Sequence, residues 1–461
     1  MRQIFRKIGF IFVAMASVIS THASERHGAL RDSILANIHG ATIVDRQFDV
    51  TRFGAKGDGV KDCLPAFAKA IARAAKSGGG CVEVPAGRYL LRGPIHLVSN
   101  LRINLAAGAV LCFDPAPALY PVVETSWEGT YLHNYSPMIY GYCLHDVAIT
   151  GEGTIDGNAM TTFATWRAKQ KPAQMRTREM NHREVPVAER NFGEGDWLRP
   201  HLIQLYGCER VTLEGVKMIN SPFWCVHLLQ CRDVICRSLR YDAKLVNNDG
   251  IDPESSSDIL IEDIHFDNGD DNIAIKSGRD NDGRNTGKPC ENIVIRNCHF
   301  KGLHAVVIGS EMSGGVRNVI IEDCDYAGYC KRGLYVKTNP DRGGFVDGIY
   351  VRNCKFGEVE DLFYVTSQYA GEGLTNTHYP DVRNLHVDGL SCDKASAGAL
   401  VLQGTPQRPV TDVTFDNIAV GEAHTGISFS NTSGVVMGTC HIGPAAGVPT
   451  QVSDKDKIFG R

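Results

Sequence analysis

The fold is decided by a short phrase that recurs along the chain: DILIEDIHF at residues 258–266, NIVIRNCHF at 292–300 and NVIIEDCDY at 318–326. Each copy alternates apolar and polar residues, as a half-buried β-strand does, and then breaks at Asn or Asp. Repeats with this length and strand periodicity are typical of stacked coils, so the sequence predicts an all-β, right-handed parallel β-helix. The first apolar residue of successive copies recurs every 23 to 36 residues, at Val211, Val234, Ile259, Ile293, Val319, Ile349, Leu385 and Val413.

The cysteines follow the same repeat. The chain has 15 of them, which in an oxidising compartment would suggest disulfides. Aligning the copies, however, places Cys298, Cys324 and Cys354 in a column whose other members are Val, Ile and Leu. Small buried hydrophobes behave this way, so these three are predicted to be core thiols rather than disulfide partners. Asn, Asp or Gly precedes the column and suits a turn with positive φ. The pairing of the other twelve cysteines stays open.

The N-terminus has the pattern of a secretory signal peptide. Residues 1–23 begin with the basic Arg2, Arg6 and Lys7, continue with an apolar run too short to span a membrane, and end with small residues. A buried N-terminal helix is the alternative. We expect a secreted or periplasmic monomer with no membrane association, folded as a single parallel β-helix domain over residues 24–461. The net charge of −4 gives no indication of nucleic acid as a partner.

Two segments depart from the repeat. Residues 64–76 have a helical pattern and precede Gly78-Gly79-Gly80 and a strand. This helix, within an N-terminal cap at about residues 47–100, is expected to cover the open end of the coil stack. Residues 158–200 are long and polar. They form either a solvated excursion or the wall of a binding groove, and both interpretations stay open at this point.

A second strand in each coil carries the chemistry. The residues of this strand that point into the core align from coil to coil at Ile251, Ile273, Val306 and Leu334. A polar residue stands two positions before each of them. Neighbouring parallel strands lie about 4.8 Å apart, so the first three of these polar residues should face one another. Asp270 joins them if the chain turns at Gly269, within NGDDNIAIKSG at residues 268–278. The polar column, read along successive coils, is Asp249, Asp271, His304 and Arg332.

Three neighbouring carboxylates cannot all ionise easily, so at least one should have a raised pKa. An inverting glycoside hydrolase uses a protonated carboxyl group beside an ionised one. Paired aspartates also cap turns or bind Ca²⁺, but a hard cation usually takes six or more oxygens, and His304 and nearby cations argue against one. No metal or cofactor is predicted. The cations near these carboxylates suit an anionic sugar. They are Lys276, Arg279, Arg332, Lys337 and Arg342. Lys276 and Arg279 would fit a solvated surface equally well.

With these motifs the chain resembles glycoside hydrolase family 28, the polygalacturonases and related pectin hydrolases, over roughly residues 47–440. Support also comes from WLRPHLIQLYGC at 197–208. The resemblance implies a β-helix that hydrolyses α-1,4-galacturonosyl bonds with inversion and without a cofactor, on pectic polysaccharide or oligogalacturonide. The motifs that carry it are NNDGIDPESS at 247–256, GDDNIAIKSGRD at 269–280, LHAVVIGSEMSGG at 303–315 and RGLYVKTN at 332–339.

The family match also implies roles for residues. Asp270 corresponds to the general acid, and Asp249 and Asp271 to the pair that positions and deprotonates water. His304 would support protonation of the acid, and Lys337 would hold a galacturonate carboxylate. Asn247 opens the Asn-Asn-Asp that matches the family's Asn-Thr-Asp.

One departure bears on the substrate. Tyr335 stands where the family's Arg-Ile-Lys has arginine, which removes a bidentate carboxylate partner and adds an aromatic surface for a sugar. A subsite for a neutral sugar is therefore an alternative, with rhamnogalacturonan or another decorated pectin as substrate. The segment before residue 200 and GSEMSGG look like the exo-acting bacterial members. A polysaccharide lyase and a non-catalytic carbohydrate-binding protein are the further alternatives.

Overall fold

The computed structural model describes residues 27–372, 374, 377–443, 445–448, 451–452 and 458–459. Over these residues the chain winds as a right-handed parallel β-helix, which confirms the fold class predicted from the repeat. The predicted signal peptide at residues 1–23 lies outside the described residues. Within the described part of the chain, no helix is long and apolar enough to cross a membrane.

Three parallel sheets run along the stack and enclose one continuous apolar core. Sheet 1 contains Gln47–Asp49, Gly80–Val84, Leu101–Leu105, His145–Gly151, Glu209–Glu214, Arg232–Arg237, Ser257–Glu262, Cys290–Arg296 and Val316–Glu322. Sheet 2 contains Ile95–His96, Ile139–Tyr142, Ile203–Tyr206, Val226–Leu229, Ile251–Glu254, Asp271–Ile275 and His304–Gly309. Sheet 3 contains Asp58–Asp62, Gly87–Leu91, Ala109–Phe113, Thr154–Asp156, Lys217–Ile219, Arg240–Asp242 and His299–Phe300.

In the later coils the strands are long enough to turn corners and serve more than one sheet. Asp325–Lys337 serves sheets 3 and 2, and the next three serve all three sheets. These three are Phe345–Thr366, Asp381–Gln403 and Val410–Ser430. Short strands complete the described end of the stack: Thr432–Met437, Cys440–Ile442, Ala445–Val448, Gln451–Val452 and Ile458–Phe459.

The stacking register agrees with the predicted columns. In sheet 1 the eight predicted positions pair in order from Val211 to Val413. In sheet 2, Ile273 pairs with Ile251 on one side and with Val306 on the other. The register therefore brings the polar column together at one edge of sheet 2, as the alignment predicts.

The cysteine column is part of the core. Cys298, Cys324 and Cys354 are at most 3% exposed, and the residues before them have φ between 47° and 55°. All fifteen cysteines fall within the described residues, and each is a free thiol. The prediction of core thiols preceded by positive-φ turns is confirmed.

Helices lie outside the coils. The helix Leu64–Lys76 packs Phe67, Ala70 and Ile71 onto the first coil, at the end of the stack where capping was predicted. The others are Phe163–Trp166, Lys171–His182 and Asp280–Thr286, the 3₁₀ turns Val50–Phe53, Pro117–Leu119 and Val187–Glu189, and a helical stretch at 27–35. An antiparallel hairpin, Val122–Trp127 with Thr130–Tyr135, projects beside sheet 2.

Candidate active site

The paired aspartates occupy the corner that leads into sheet 2. Asp270 lies in a bend, and the strand Asp271–Ile275 begins one residue later. Gly269 packs so closely on the preceding coil that a Cβ would come 2.3 Å from the carbonyl oxygen of Leu245. Only glycine fits such a contact, so the predicted turn at Gly269 is confirmed.

Backbone amides hold the Asp270 carboxyl group. The amides of Asn247 and Asp271 donate to its two oxygens, each at 3.1 Å. Asn247 has a φ of 62°, and its Oδ1 accepts a hydrogen bond from Arg199 Nη2 at 2.7 Å. Burial, and then the charge of Asp271, raises the pKa of Asp270. The fixed turn therefore orients a carboxyl group that keeps its proton to a higher pH than an ordinary aspartate does.

Asp271 has the opposite character. Its Oδ1 lies 2.6 Å from His304 Nδ1, and its Oδ2 accepts a hydrogen bond from Lys337 Nζ at 3.0 Å. Burial acts to raise the pKa of Asp271. The charge of Lys337 and the hydrogen bond with His304 outweigh burial and hold that pKa well below its ordinary value. Asp271 is therefore the member of the trio whose ionised form the site stabilises.

Asp249 completes the trio at the corner before the strand Ile251–Glu254, where it is 3% exposed. Burial, and then the charges of Asp252 and Asp270, raises the pKa of Asp249. Burial likewise raises the pKa of Asp252, which is fully enclosed. The prediction that at least one of the three carboxyl groups has a raised pKa is confirmed, because two of them do.

Lys276 and Arg279 form part of the floor beside the aspartates. Each is 3% exposed. Lys276 Nζ lies 3.3 Å from Glu311 Oε2 and 3.6 Å from Asp252 Oδ1. Arg279 Nη2 lies 2.5 Å from Glu311 Oε1. Solvated surface cations are therefore the wrong interpretation of these two residues, because the site encloses them and pairs them with buried carboxylates.

Arg332 and Tyr335, both predicted to bind substrate, are not among the residues that line the cavity with the aspartates. The Arg332 guanidinium pairs with Asp361 at 3.2 Å and lies over the rings of Tyr335 and Tyr364, 4.8 and 4.7 Å from their centroids. Tyr335 is 5% exposed, and its ring meets the His304 ring edge-on at 5.5 Å. The expected stacking surface for a sugar is largely covered, and Tyr335 supports His304 from behind.

The segment at residues 158–200 forms a wall of the cavity. Its helix Lys171–His182 lies beside a cavity of about 520 Å³, within the usual range for ligand sites. The segment lines this cavity, as the wall interpretation predicts, and ligand binding in the cavity stays a prediction. Residues of this segment that line the cavity are Arg167, Lys171, Gln174 and Arg178.

Several residues around the aspartates were missed, and all of them except Asp252, which lies in the strand Ile251–Glu254, are outside the repeat. The hairpin turn at Glu128 and Gly129, for example, docks on Arg279, whose amide donates to the Gly129 oxygen at 2.8 Å. Both turn residues have positive φ, as a tight two-residue hairpin requires. Motifs WLRPHLIQLYGC and GSEMSGG contain two of the missed residues and could have indicated them. The missed residues are Glu128, Arg178, Arg199, Asp252, Glu311 and Glu372.

Asp270, Asp271 and His304 place one possible ligand atom each within 4.8 Å of one another. Both Asp271 oxygens are already engaged, and the Lys337 ammonium lies 3.0 Å from one of them. A cation at this point would meet that positive charge at short range. These residues therefore fit a metal poorly, and the absence of a metal stays a prediction.

Comparison with known proteins agrees with this geometry. Residues 124–440 match the family model described as glycosyl hydrolases family 28. The chain belongs to this family. Residues 47–118 match a second model, described as rhamnogalacturonase A/epimerase, pectate lyase-like.

Family 28 relatives cover most of the chain. A protein named "Probable polygalacturonase" from Vitis vinifera is 29% identical, over 89% of this chain and 81% of its own length. An exo-poly-alpha-D-galacturonosidase from Dickeya chrysanthemi is 25% identical, over 82% of this chain and 65% of its own length. The crystal structure of a hyperthermoactive exopolygalacturonase from Thermotoga maritima superposes with a TM-score of 0.80 at 36% identity, covering 89% of this chain and 91% of that one.

Proposed function

We propose that the protein is an inverting hydrolase of galacturonan that removes residues from the chain end. The observation that carries the proposal is that the site moves two neighbouring carboxyl groups in opposite directions: the pKa of Asp270 is raised, whereas that of Asp271 is held low. An inverting glycosidase needs one protonated and one ionised carboxyl group at the same time.

The roles follow from the contacts. Asp270, fixed by two backbone amides, donates its proton to the oxygen of the departing sugar. Asp271, kept ionised by Lys337 and His304, accepts a proton from the attacking water, and Asp249 helps to position that water. His304 and Lys337 thereby preserve the charge difference between Asp270 and Asp271. Lys337, which lines the same cavity, also attracts the carboxylate of the sugar.

The substrate class is supported by the charge of the cavity and by the relatives. Buried and half-buried cations line the cavity beside the aspartates, as expected for a polyuronide. The names of the relatives from Dickeya chrysanthemi and Thermotoga maritima include exo action on galacturonan. The wall built by residues 158–200 encloses one side of the cavity, which supports attack at a chain end rather than along an open groove.

The remaining features of the proposal concern the whole chain. Residues 1–23 act as a secretory signal, which places the mature protein in the periplasm or outside the cell. Residues 24–461 form one catalytic domain, with a cap at about 47–100 and an insertion at about 158–200, and the protein works as a monomer. A single apolar core running from Val50 to Met437 supports one domain.

Product analysis by mass tests the function. The purified protein is incubated with polygalacturonic acid and, in parallel, with rhamnogalacturonan. We expect monomeric galacturonate from polygalacturonic acid at the earliest times. A series of mixed oligomers would contradict chain-end action, and activity confined to rhamnogalacturonan would favour the decorated-pectin alternative. Product absorbance from an unsaturated sugar would identify a lyase.

The control is Asp270→Asn, which keeps the shape of the side chain but cannot donate the carboxyl proton. We expect it to lose about 10²–10⁴-fold in turnover while still binding galacturonate. An unchanged thermal unfolding temperature would separate this loss from misfolding. Full activity of the variant would remove Asp270 from the mechanism.

A further inference from the structure

Glu372 lies in a nest of three arginines at the edge of the cavity. Its Oε1 is 2.7 Å from Arg178 Nη1, and its Oε2 is 3.2 Å from Arg279 Nη1 and 3.8 Å from Arg342 Nη1. The Glu372 side chain is 13% exposed, and Arg279 and Arg342 are almost fully enclosed. A single carboxylate therefore contacts the guanidinium groups of the insertion, the sheet 2 corner and a later loop.

Each of these arginines already has a carboxylate partner of its own. Arg178 contacts Glu128 at 2.8 Å, Arg279 contacts Glu311 at 2.5 Å, and Arg342 contacts Asp280 at 2.7 Å. Glu372 is thus an additional carboxylate shared among the three. Without Glu372 the cluster has four cations against three carboxylates: Arg178, Arg279, Arg342 and Lys276 against Glu128, Glu311 and Asp280.

The remaining carboxyl group near Lys276 is Asp252, which lies 3.6 Å from Lys276 Nζ. Burial raises the pKa of Asp252, so it offsets the charge of Lys276 less than an ordinary carboxylate would. Removing a carboxylate from enclosed cations is costly, and Glu372 contacts all three arginines, so the place that it fills favours a carboxylate. Arg178 also has a buried Nε that donates to no acceptor among the described residues.

The place filled by Glu372 opens into the cavity that contains the aspartates. Arg178, Arg279, Arg342 and Glu372 line it together with Asp249, Asp270 and Asp271. A uronic acid entering this cavity carries the same functional group as Glu372. Exchanging one carboxylate for the other leaves the charge of the cluster unchanged and keeps the charge-assisted hydrogen bonds to the arginines.

We propose that Arg178, Arg279 and Arg342 form a binding subsite for the carboxylate of a galacturonate residue, and that Glu372 occupies it as an internal competitor until the substrate displaces it. This deepens the proposed function and rests on it. The competitor keeps the arginine nest ordered in the free protein. A neutral sugar cannot replace Glu372 without leaving the cluster unbalanced, so displacement selects for uronic acids.

The test is the binding of D-galacturonate, measured by titration calorimetry on the full chain, to the wild type and to Glu372→Gln. The amide keeps the size of the side chain and removes its charge, so it competes poorly for the arginines. We expect Glu372→Gln to bind D-galacturonate about tenfold more tightly, which corresponds to the loss of roughly one charge-assisted contact. Neutral D-galactose should bind weakly and equally to both.

Two further variants make the test specific. Glu179→Gln removes the same charge from an exposed pair one residue from Arg178, and it should leave binding unchanged. Arg178→Gln removes one arm of the nest and should weaken D-galacturonate binding about tenfold. Thermal unfolding of each variant excludes a loss of folded protein as the cause.

Unchanged or weaker binding by Glu372→Gln would overturn the proposal and make Glu372 a fixed wall of the cavity. These outcomes differ from a failure of the proposed function, in which the wild type would release no galacturonate from polygalacturonic acid whatever the binding of the monomer.

Discussion

The protein stacks charged side chains in two places, with different consequences. On the outer face of sheet 1, alternating charges pair from coil to coil in what we call the charge ladder, made of Glu214, Arg237, Glu262 and Arg296. Its two arginines are 39% and 32% exposed. Beside sheet 2, Arg279 and Arg342 are only 3% and 2% exposed.

The two regions share the same coil geometry, so pairing alone does not distinguish them. Water screens the charge ladder, and exposed pairs of this kind contribute little to stability. In the cavity, the insertion, the hairpin and the later loop exclude water, so each charge acts strongly on its neighbours and on the pKa values of the aspartates. The loops, rather than the repeat, therefore create the catalytic environment, because they exclude water from the paired charges of the cavity.

The largest effect on this comparison should come from removing one arginine in each region. Arg279→Gln leaves Glu311 and Glu372 with fewer partners in an enclosed site, so we expect the free energy of unfolding to fall by about 3–5 kcal/mol. Arg296→Gln removes two hydrogen bonds that Arg296 donates to Glu262 Oε2 in the charge ladder, and it should cost less than about 1 kcal/mol. Urea denaturation of both variants measures the difference, and equal costs would refute it.

A second prediction concerns the pH dependence of activity. Lys337→Gln removes the cation that holds the pKa of Asp271 low, so that pKa should rise. Since Asp271 must be ionised to accept a proton, the acid limb of the kcat/KM profile should move to higher pH, by about one unit or more. Lys301→Gln, which breaks an exposed pair with Asp267, is the control and should leave the limb in place. An unmoved limb in Lys337→Gln would show that His304 alone keeps Asp271 ionised.

The smallest of the three effects should be a change in thermal stability with pH, caused by a carboxyl group in the interior beneath the cavity. Burial, opposed by Lys276, raises the pKa of Glu254 to about 8, and its Oε2 lies 2.8 Å from His227 Nε2. Because the folded-state pKa exceeds the ordinary value, the stability contributed by Glu254 is full at low pH and is lost as pH rises toward about 8. Glu254→Gln removes this loss, so its Tm relative to wild type should increase by a few degrees between about pH 5 and pH 8. A constant difference across that range would contradict the assigned shift.

Much of the catalytic column could be predicted because a repeat converts sequence alignment into spatial alignment. Asp271 and His304 pair in register, as do His304 and Arg332. The sequence also indicated the turn at Gly269 and the raised pKa of a carboxyl group. It did not indicate that Arg332 and Tyr335 would lie behind His304, because a column gives the order of residues but not which side chains neighbouring loops leave accessible.

The residues that complete the cavity could not be predicted in this way. Glu128 comes from a hairpin, Arg178 from the insertion, and Glu372 from a loop after sheet 2, and none of these segments repeats. Glu128 and Glu372 meet at Arg279 through contacts between residues that are 151 and 93 positions apart in the chain, and Arg178 pairs with both glutamates.

The sequence by itself determined the coil, its register, the buried cysteines and the order of the aspartates and His304 along sheet 2. These features depend on the two-residue periodicity of strands and on stacking between neighbouring coils. Both can be recognised from short segments of the sequence. Only the tertiary structure decided which charges lose contact with water, because burial is produced by segments that are distant in sequence. That burial separates the pKa values of Asp270 and Asp271, and it places Glu372 where a substrate carboxylate would bind.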